Sequence, residues 1–205
     1  MIYNDRRPEG LQITFNPPYG KKFENEKEAV DEEAADGFAG RFSAGVPPIN
    51  DGSMLFLQNV VHHMKPASEG GSKAGIVLSA SPLFNGDAGQ AASNIRRWLF
   101  KEDVIDCIVK LPKDIFFRTG INTYLWILST NKPEGRKGKI QLMDASGKGT
   151  AKLKSHGNKR MEISESDMDW IARVYIDGHN GGKSILVPCE DFMYRKVTVE
   201  RPCGW

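Results

Sequence analysis

The tetrapeptide Asn16-Pro17-Pro18-Tyr19 combines residue types that can hold a planar amino group still during methyl transfer. The exocyclic amine of adenine, like an amide nitrogen, is a weak nucleophile because its lone pair is delocalised into a π system. An Asn side-chain oxygen and a Pro carbonyl can both accept hydrogen bonds from such an NH2 group, which shifts electron density toward the nitrogen and aims its lone pair. This chemistry needs no Brønsted base.

The two prolines favour a stiff turn around these acceptors. Each fixes φ at about −65° and lacks a backbone N–H, so the turn does not consume its own carbonyls as acceptors. Tyr19 adds a flat ring on which an extruded base can stack. The alternative interpretation is a plain proline turn that ends a strand, since Asn-Pro is a common turn initiator.

The neighbouring residues place this tetrapeptide at a ligand-binding edge. Residues 11–15 predict a short buried strand, and Gly20 predicts a loop beyond the tetrapeptide. The tetrapeptide therefore follows the carboxyl end of a strand, which is where open α/β sheets bind ligands.

The rest of the chain alternates strand and helix patterns, which predicts an α/β fold. Strands at 104–111 and 123–129 are too close in sequence for a crossover helix, so we expect them to pair antiparallel. Segment 21–52 is polar and acidic and predicts a long loop. The other predicted elements are helices at 54–65 and 91–101, strands at 74–79 and 139–143, and a helix that begins with a capping box at Ser164 to Asp167.

Composition bounds the class of protein. The chain has 205 residues, 40% hydrophobic and 26% charged, which suits one domain with a substantial core. A net charge of +2 does not indicate nucleic acid, although the basic stretch 132–160 could meet phosphates or form a solvated loop. Three separated cysteines without a C-x-x-C predict neither disulfides nor zinc, and a reducing cytoplasm fits best. Without a long apolar stretch or signal core, we expect neither membrane insertion nor secretion.

Other polar residues are weaker candidates. Adjacent His62 and His63 would point to different helix faces, so we predict no metal site. Ser79 and Ser81 end a strand, but no base can be nominated for either as a nucleophile. Lys110 and Lys113 could touch phosphate or form a solvated rim, and we expect Asp144 to cap or polarise a loop.

Several motifs resemble the modification (methyltransferase) subunit of type I restriction-modification systems, which methylates adenine in DNA. The run from Leu111 to Ser129 and the VTVERP ending are more specific to this family than the tetrapeptide. The stretches that carry the resemblance are NPPYG at 16–20, FLQNVVHHMKP at 56–66, AGIVLSASPLFNG at 74–86, NIRRWLFKEDVIDCIVKLPKDIFFRTGINTYLWILS at 94–129, KGKIQLMDAS at 137–146 and DFMYRKVTVERP at 191–202.

The resemblance assigns a role to each site residue. Asn16 and Pro17 would bind the amino group of the target adenine, with Pro18 completing the motif, and Tyr19 would stack on the flipped base. A second aromatic would cover the other face of the base from the loop between the last two strands of the family's sheet. Phe117 is preferred over Phe116, and a core position is an even alternative for both.

The resemblance also implies a fold, a cosubstrate and partners. The fold would be a Rossmann-like methyltransferase sheet, mostly parallel and ending in an antiparallel hairpin, and the cosubstrate would be S-adenosylmethionine. We expect residues 1–150 to form the target-base half of the catalytic domain and residues 151–205 a helix and short-strand extension. The implied partners are double-stranded DNA, a specificity subunit, a restriction subunit and a possible second modification subunit.

The donor-binding half of that family pattern is not apparent. The family binds its cosubstrate on a glycine-rich turn after the first strand of the sheet, and this chain contains no G-x-G-x-x-G. Asp144 to Gly149 imitates such a turn, but residues 150–160 lack helical periodicity. We therefore expect the first strands and the donor site to be missing, and a truncated or split methyltransferase that is inactive alone. The alternatives are a non-catalytic DNA- or partner-binding fragment and a protein glutamine methyltransferase.

Overall fold

The computed structural model describes residues 11–116, 120–156, 159–178 and 182–200, and its centre is a six-stranded sheet. A separate two-stranded hairpin follows the fifth strand in the chain. The strands are β1 Leu11–Phe15, β2 Ser72–Ser79, β3 Ile105–Lys110, β4 Thr123–Ser129, β5 Lys139–Asp144, β6 Thr150–His156, β7 Lys159–Glu162 and β8 Ser184–Pro188. The helices are α1 Lys27–Ala35, α2 Ser53–His62, α3 Ser81–Phe84, α4 Ala91–Lys101 and α5 Glu165–Asp177.

The sheet order is β1-β2-β4-β3-β5-β8, and β1 forms one edge. Strands β1, β2, β3 and β5 run in one direction, while β4 and β8 run in the other. The predicted α/β class and the antiparallel pairing of β3 with β4 are confirmed. Strand β4 lies between β2 and β3. The antiparallel pair of β3 and β4 is therefore inside the sheet, which continues from β3 through β5 to β8.

Apolar layers cover both faces of the sheet. On one face, α2 and α4 contribute Leu57, Ile95 and Leu99 to a cluster with Ile76 and Trp126. Helix α4 has the bounds predicted from its apolar spacing. On the other face, α5 contributes Val174 to a second cluster with strand residues such as Cys107 and Val109. None of the helices within the described ranges is long and apolar enough to cross a membrane.

The prediction of one long loop over segment 21–52 was wrong, because the segment contains α1 and a 3-10 turn at Gly37–Ala39. Its residues Phe23, Val30 and Phe42 pack with Leu55 of α2 in a small core of their own. Val30 is the one buried residue of α1. The acidic sequence therefore shows hardly any helical spacing of apolar residues, which is why the helix was not predicted.

An ion pair joins the same segment to α2. The Arg41 guanidinium donates to both carboxylate oxygens of Glu33 at 2.5 Å and to the side-chain oxygen of Asn59 at 2.9 Å. These bonds lower the pKa of Glu33 to about 2. The segment is therefore docked on the sheet layer rather than extended into solvent.

Buried polar contacts attach α5 and the last strands to the sheet. Arg136 donates to the Asp106 carboxylate at 2.7 Å, to the Gln141 side chain at 2.8 Å and to the Tyr175 carbonyl at 3.1 Å. The buried Lys132 ammonium donates to the Asp103 carboxylate at 2.6 Å. These two cations of the basic stretch 132–160 are therefore structural and are not available to phosphates.

The capping box predicted for α5 is confirmed. The Ser164 hydroxyl accepts a hydrogen bond from the Asp167 backbone N–H, and the Asp167 carboxylate accepts one from the Ser164 N–H. Both bonds satisfy amide donors that an uncapped helix start leaves free. Gly178 ends the helix with φ of 76°, in the left-handed conformation that favours glycine.

Candidate functional site

The tetrapeptide begins directly after β1, at the edge where the strands parallel to β1 also end. Asn16 and Pro18 are exposed, Pro17 is buried and Tyr19 is half-buried. Phe15 pairs with Ile76 of β2, so Asn16 lies beside the last residues of that neighbouring strand. A buried proline anchors the turn, while the Asn side chain remains accessible to a ligand.

Asn16 and Tyr19 interact with each other. The Tyr19 hydroxyl donates a hydrogen bond to Asn16 Oδ1 at 3.3 Å. Burial raises the pKa of the Tyr19 phenol. The bond from Tyr19 occupies one of the two lone pairs of Asn16 Oδ1.

Phe116 is the aromatic residue that the structure brings to Tyr19. Their ring centroids are 6.4 Å apart with an interplanar angle of 67°, an edge-to-face contact of the kind aromatic rings prefer. Phe117, the preferred partner from sequence, lies outside the described residues. The choice between the two as a stacking residue therefore stays a prediction.

The loop that carries Phe116 is held by the hairpin β6/β7. The backbone N–H groups of Arg160 and Met161 both donate to the Asp114 carbonyl, at 3.0 and 3.1 Å. Asp114 has φ of 58°, a left-handed conformation in which Asp is enriched among residues other than glycine. The next residue, Ile115, is buried in the apolar cluster that includes Val174 of α5. Sequence reasoning missed this support, because a loop without periodicity gives no signal of what packs against it.

The loop after the tetrapeptide is linked to the starts of α2 and α3. The Gly52 N–H donates to the Lys21 carbonyl at 2.9 Å. Its neighbour Asp51 accepts the Ser53 N–H at 3.0 Å and the Ser81 hydroxyl. The Ser81 hydroxyl therefore links the start of α3 to the residues that precede α2.

A cavity of about 600 Å³ adjoins these segments, between the beginnings of α2 and α4. Its walls combine polar side chains with proline rings, and include Pro48, Asn50, Asp51, Ser81, Asn85 and Gln90. Polar groups that converge on a concave surface are typical of ligand sites.

Asp144 and the turn after it form a short loop between β5 and β6. The Asp144 carboxylate accepts the Ser146 N–H at 2.9 Å and the Ser146 hydroxyl at 2.5 Å, and these bonds lower its pKa. Asp144 therefore caps a loop, as predicted. The chain continues from the turn into strand β6 rather than into a helix, and the Gly149 N–H at the end of the turn donates to the Asp167 carboxylate in the first turn of α5 at 3.1 Å.

The two adjacent histidines pack against each other. Their ring centroids are 5.5 Å apart, and His63 Nδ1 lies 2.8 Å from the Asn59 carbonyl oxygen. Within the described ranges, no group of three or more His, Cys, Asp or Glu residues is placed to hold a metal ion.

Comparison with known proteins identifies relatives of this arrangement. The sequence matches the N-6 DNA Methylase family over residues 8–193. It is 28% identical over 166 residues to the type I restriction enzyme MjaVIII methylase subunit of Methanocaldococcus jannaschii, covering 80% of this chain and 26% of the relative. It is 30% identical over 136 residues to the HindI methylase subunit of Haemophilus influenzae, covering 65% of this chain and 27% of the relative.

Solved structures share the fold. The methyltransferase subunit of a type I restriction-modification system from Streptococcus thermophilus superposes with a TM-score of 0.70 at 25% identity, covering 92% of this chain and 36% of that one. A modification subunit of a type I enzyme from Vibrio vulnificus gives a TM-score of 0.66 at 18% identity, covering 90% and 35%. The chain thus spans about a quarter of the curated relatives and about a third of these structures.

Proposed function

Since the chain belongs to the N-6 DNA methylase family, we propose that it forms the target-base half of an enzyme that methylates the N6 amino group of adenine in DNA. The observation that carries this proposal is the position of Asn16 and Pro17 at the carboxyl end of β1, beside the aromatic pair Tyr19 and Phe116. Two hydrogen-bond acceptors and a stacking surface are what a flipped adenine requires.

The proposed reaction is a direct in-line displacement. When bound by the donor half, S-adenosylmethionine would supply the methyl carbon for the new bond to the adenine nitrogen, and its sulfur would take the electron pair of the carbon–sulfur bond that breaks. The nitrogen then loses a proton to solvent. Asn16 Oδ1 and the Pro17 carbonyl hold both amino hydrogens, so this chain contributes positioning and electrostatic stabilisation rather than a base.

We place the binding site for S-adenosylmethionine outside the described residues. The turn after Asp144 is followed by a strand instead of a helix, which supports this placement. The 205-residue chain by itself would then be inactive and would require a donor half. Its partners would be double-stranded DNA, a specificity subunit, a restriction subunit and a second modification subunit. The relatives are named as methylase subunits of type I restriction enzymes, which supports an assembly of several subunits.

Substitution of Asn16 tests the role of the tetrapeptide. In the complete assembly, Asn16→Ala should lower the methylation rate by about 10²–10³-fold, the range seen when one group that stabilises a transition state is removed. Transfer of labelled methyl groups to DNA is the measurement, and Ile176→Ala, which removes an exposed side chain on α5, is the control variant. Full activity of Asn16→Ala would contradict the proposal.

A separate measurement tests the donor half. Calorimetry should detect no saturable binding of S-adenosylmethionine to the 205-residue chain alone. Micromolar binding would show that the chain contains a donor site and would overturn the division into halves.

Two alternatives lead to different outcomes in the same assays. A protein glutamine methyltransferase would label a Gln-containing peptide in preference to DNA, because the same acceptors suit an amide NH2. A non-catalytic fragment would bind DNA or a partner without methylating either substrate, even in the presence of the donor half.

A further inference from the structure

Helix α3 presents an exposed aromatic side chain at the edge of the sheet that carries the tetrapeptide. Phe84, its last residue, is 69% exposed, whereas Pro82 is buried and Leu83 packs on the core. A single exposed hydrophobic side chain is ordinary on a protein surface. The support beneath Phe84 is what distinguishes it.

That support is the guanidinium of Arg96 in α4. It donates to the carbonyls of Pro82 at 3.2 Å, Asn85 at 2.6 Å and Gly86 at 3.2 Å, so its partners lie on both sides of Phe84 in the chain. Arg96 is 9% exposed, and burial lowers its pKa. A buried cation carries a desolvation cost, and here its bonds hold the backbone of one short loop in place.

Gly86 makes the same loop tight. It has φ of 85°, and a Cβ atom there would lie 3.2 Å from the Ala92 Cβ of α4. A side chain at this position would be strained by the positive φ and would press on Ala92, so glycine favours the close return of the backbone to α4. Because the loop packs closely on α4 and is held by the Arg96 hydrogen bonds, the backbone that carries Phe84 is rigid.

The position of α3 relates Phe84 to the proposed base site. Strand β2 runs parallel to β1 and ends at Ser79, so α3 begins at the edge where Asn16 follows β1. The Ser81 hydroxyl of α3 bonds Asp51, whose neighbour Gly52 bonds the Lys21 carbonyl just beyond Tyr19. One set of hydrogen bonds therefore positions α3 and the tetrapeptide loop relative to each other.

We propose that Phe84 contacts DNA bases next to the extruded adenine and stacks on them. This inference rests on the function proposed above. Extrusion of a base interrupts the stack at its neighbours, which costs a few kcal/mol. An aromatic ring accepts any base, because every base has a π face, and a rigid ring loses little conformational freedom on binding.

The test uses the complete methylase assembly with its DNA-recognition partner. Sequencing the DNA of a host without other adenine methylases, in which the wild-type assembly is produced, identifies the methylated sites. A duplex with such a site, carrying 2-aminopurine in place of the target adenine, then reports extrusion by fluorescence. The variants are Phe84→Ala, Phe84→Tyr and the control Ile176→Ala, which removes a side chain 76% exposed on α5, on the other face of the sheet.

We expect Phe84→Ala to lower kcat/KM for DNA by roughly 5- to 150-fold, the range for loss of one base-stacking aromatic, and to reduce the 2-aminopurine signal. Phe84→Tyr keeps the ring and should retain most activity, and Ile176→Ala should match the wild type. Thermal unfolding should be unchanged in all three, because the altered side chains are exposed.

The outcomes that would contradict the Phe84 proposal can be distinguished from one another. If the wild-type assembly methylates adenine and Phe84→Ala equals it in rate and fluorescence, the inference about Phe84 is wrong and the proposed function stands. If Phe84→Ala impairs subunit assembly in native mass spectrometry but assembled complexes keep wild-type kinetics, Phe84 contacts a protein partner and not DNA. If the wild-type assembly methylates no adenine, both proposals fall together.

Discussion

The Tyr19 hydroxyl lies 3.3 Å from Asn16 Oδ1 and donates a hydrogen bond to it, which links the residue proposed to stack on the base with the residue proposed to bind its amino group. In the proposed site, the amino group of an entering adenine would have to share Asn16 Oδ1, which has two lone pairs, with the Tyr19 hydroxyl or displace it. The two donors would therefore compete for the same oxygen atom.

Removing only that hydroxyl should favour the substrate. Tyr19→Phe keeps the ring for stacking and frees Asn16, so we expect kcat/KM for DNA to rise by about two- to tenfold, consistent with a net hydrogen-bond contribution of about 0.5–1.5 kcal/mol. Tyr19→Ala should lower it because stacking is lost. Steady-state methylation of a DNA site compares the three proteins, and a Tyr19→Phe enzyme slower than the wild type would mean that the hydroxyl assists the reaction.

The two neighbouring phenylalanines can be separated by substitution. Phe116 contacts the Tyr19 ring edge to face, so Phe116→Ala should weaken base capture by roughly 1–3 kcal/mol if Phe116 stacks on the base. Phe117→Ala provides the matched comparison. A loss confined to Phe117→Ala would restore the choice made from sequence, and fluorescence of 2-aminopurine at the target position distinguishes the outcomes.

The sequence was sufficient for most of the sheet and insufficient for the loops. Apolar runs predicted β2, β3 and β4, because buried strands require them, and the spacing of Ile95 and Leu99 predicted α4. Helix α1 buries one residue, so its acidic surface dominates its pattern. The tetrapeptide was recognisable because its chemistry depends on residue type. Long-range supports such as Asp114 with Arg160 depend on tertiary geometry that no local pattern contains.

Acid should weaken the attachment of segment 21–52. Arg41 lowers the pKa of Glu33 from 4.5 to about 2, so the carboxylate contributes stability above pH 4.5 that is lost as the pH falls toward 2. Glu33→Gln should be less stable than the wild type at pH 7, and the difference should shrink at pH 3. Urea unfolding at the two pH values measures it. Glu24→Gln removes an exposed pair with Lys22 and should change little at either pH.

The buried pair between Arg136 and Asp106 should be costly to break. Arg136→Met leaves an uncompensated carboxylate under α5 and should lower the free energy of unfolding by about 3–5 kcal/mol. Lys137→Met, one residue away in an exposed pair with Glu134, should cost about 0–1 kcal/mol. Denaturant unfolding compares the two. Equal effects would show that the Arg136 network does not hold α5.

Strand β1 is at the edge of the sheet and pairs only with β2 among the described residues. An open strand edge exposes backbone amides and carbonyls that can recruit any extended chain, including another copy of the same strand. A preparation of these residues alone would therefore tend toward self-association and turbidity. A donor-half polypeptide of the proposed enzyme that added one strand there would lower that tendency, so solubility on mixing could serve as a simple screen for such a polypeptide.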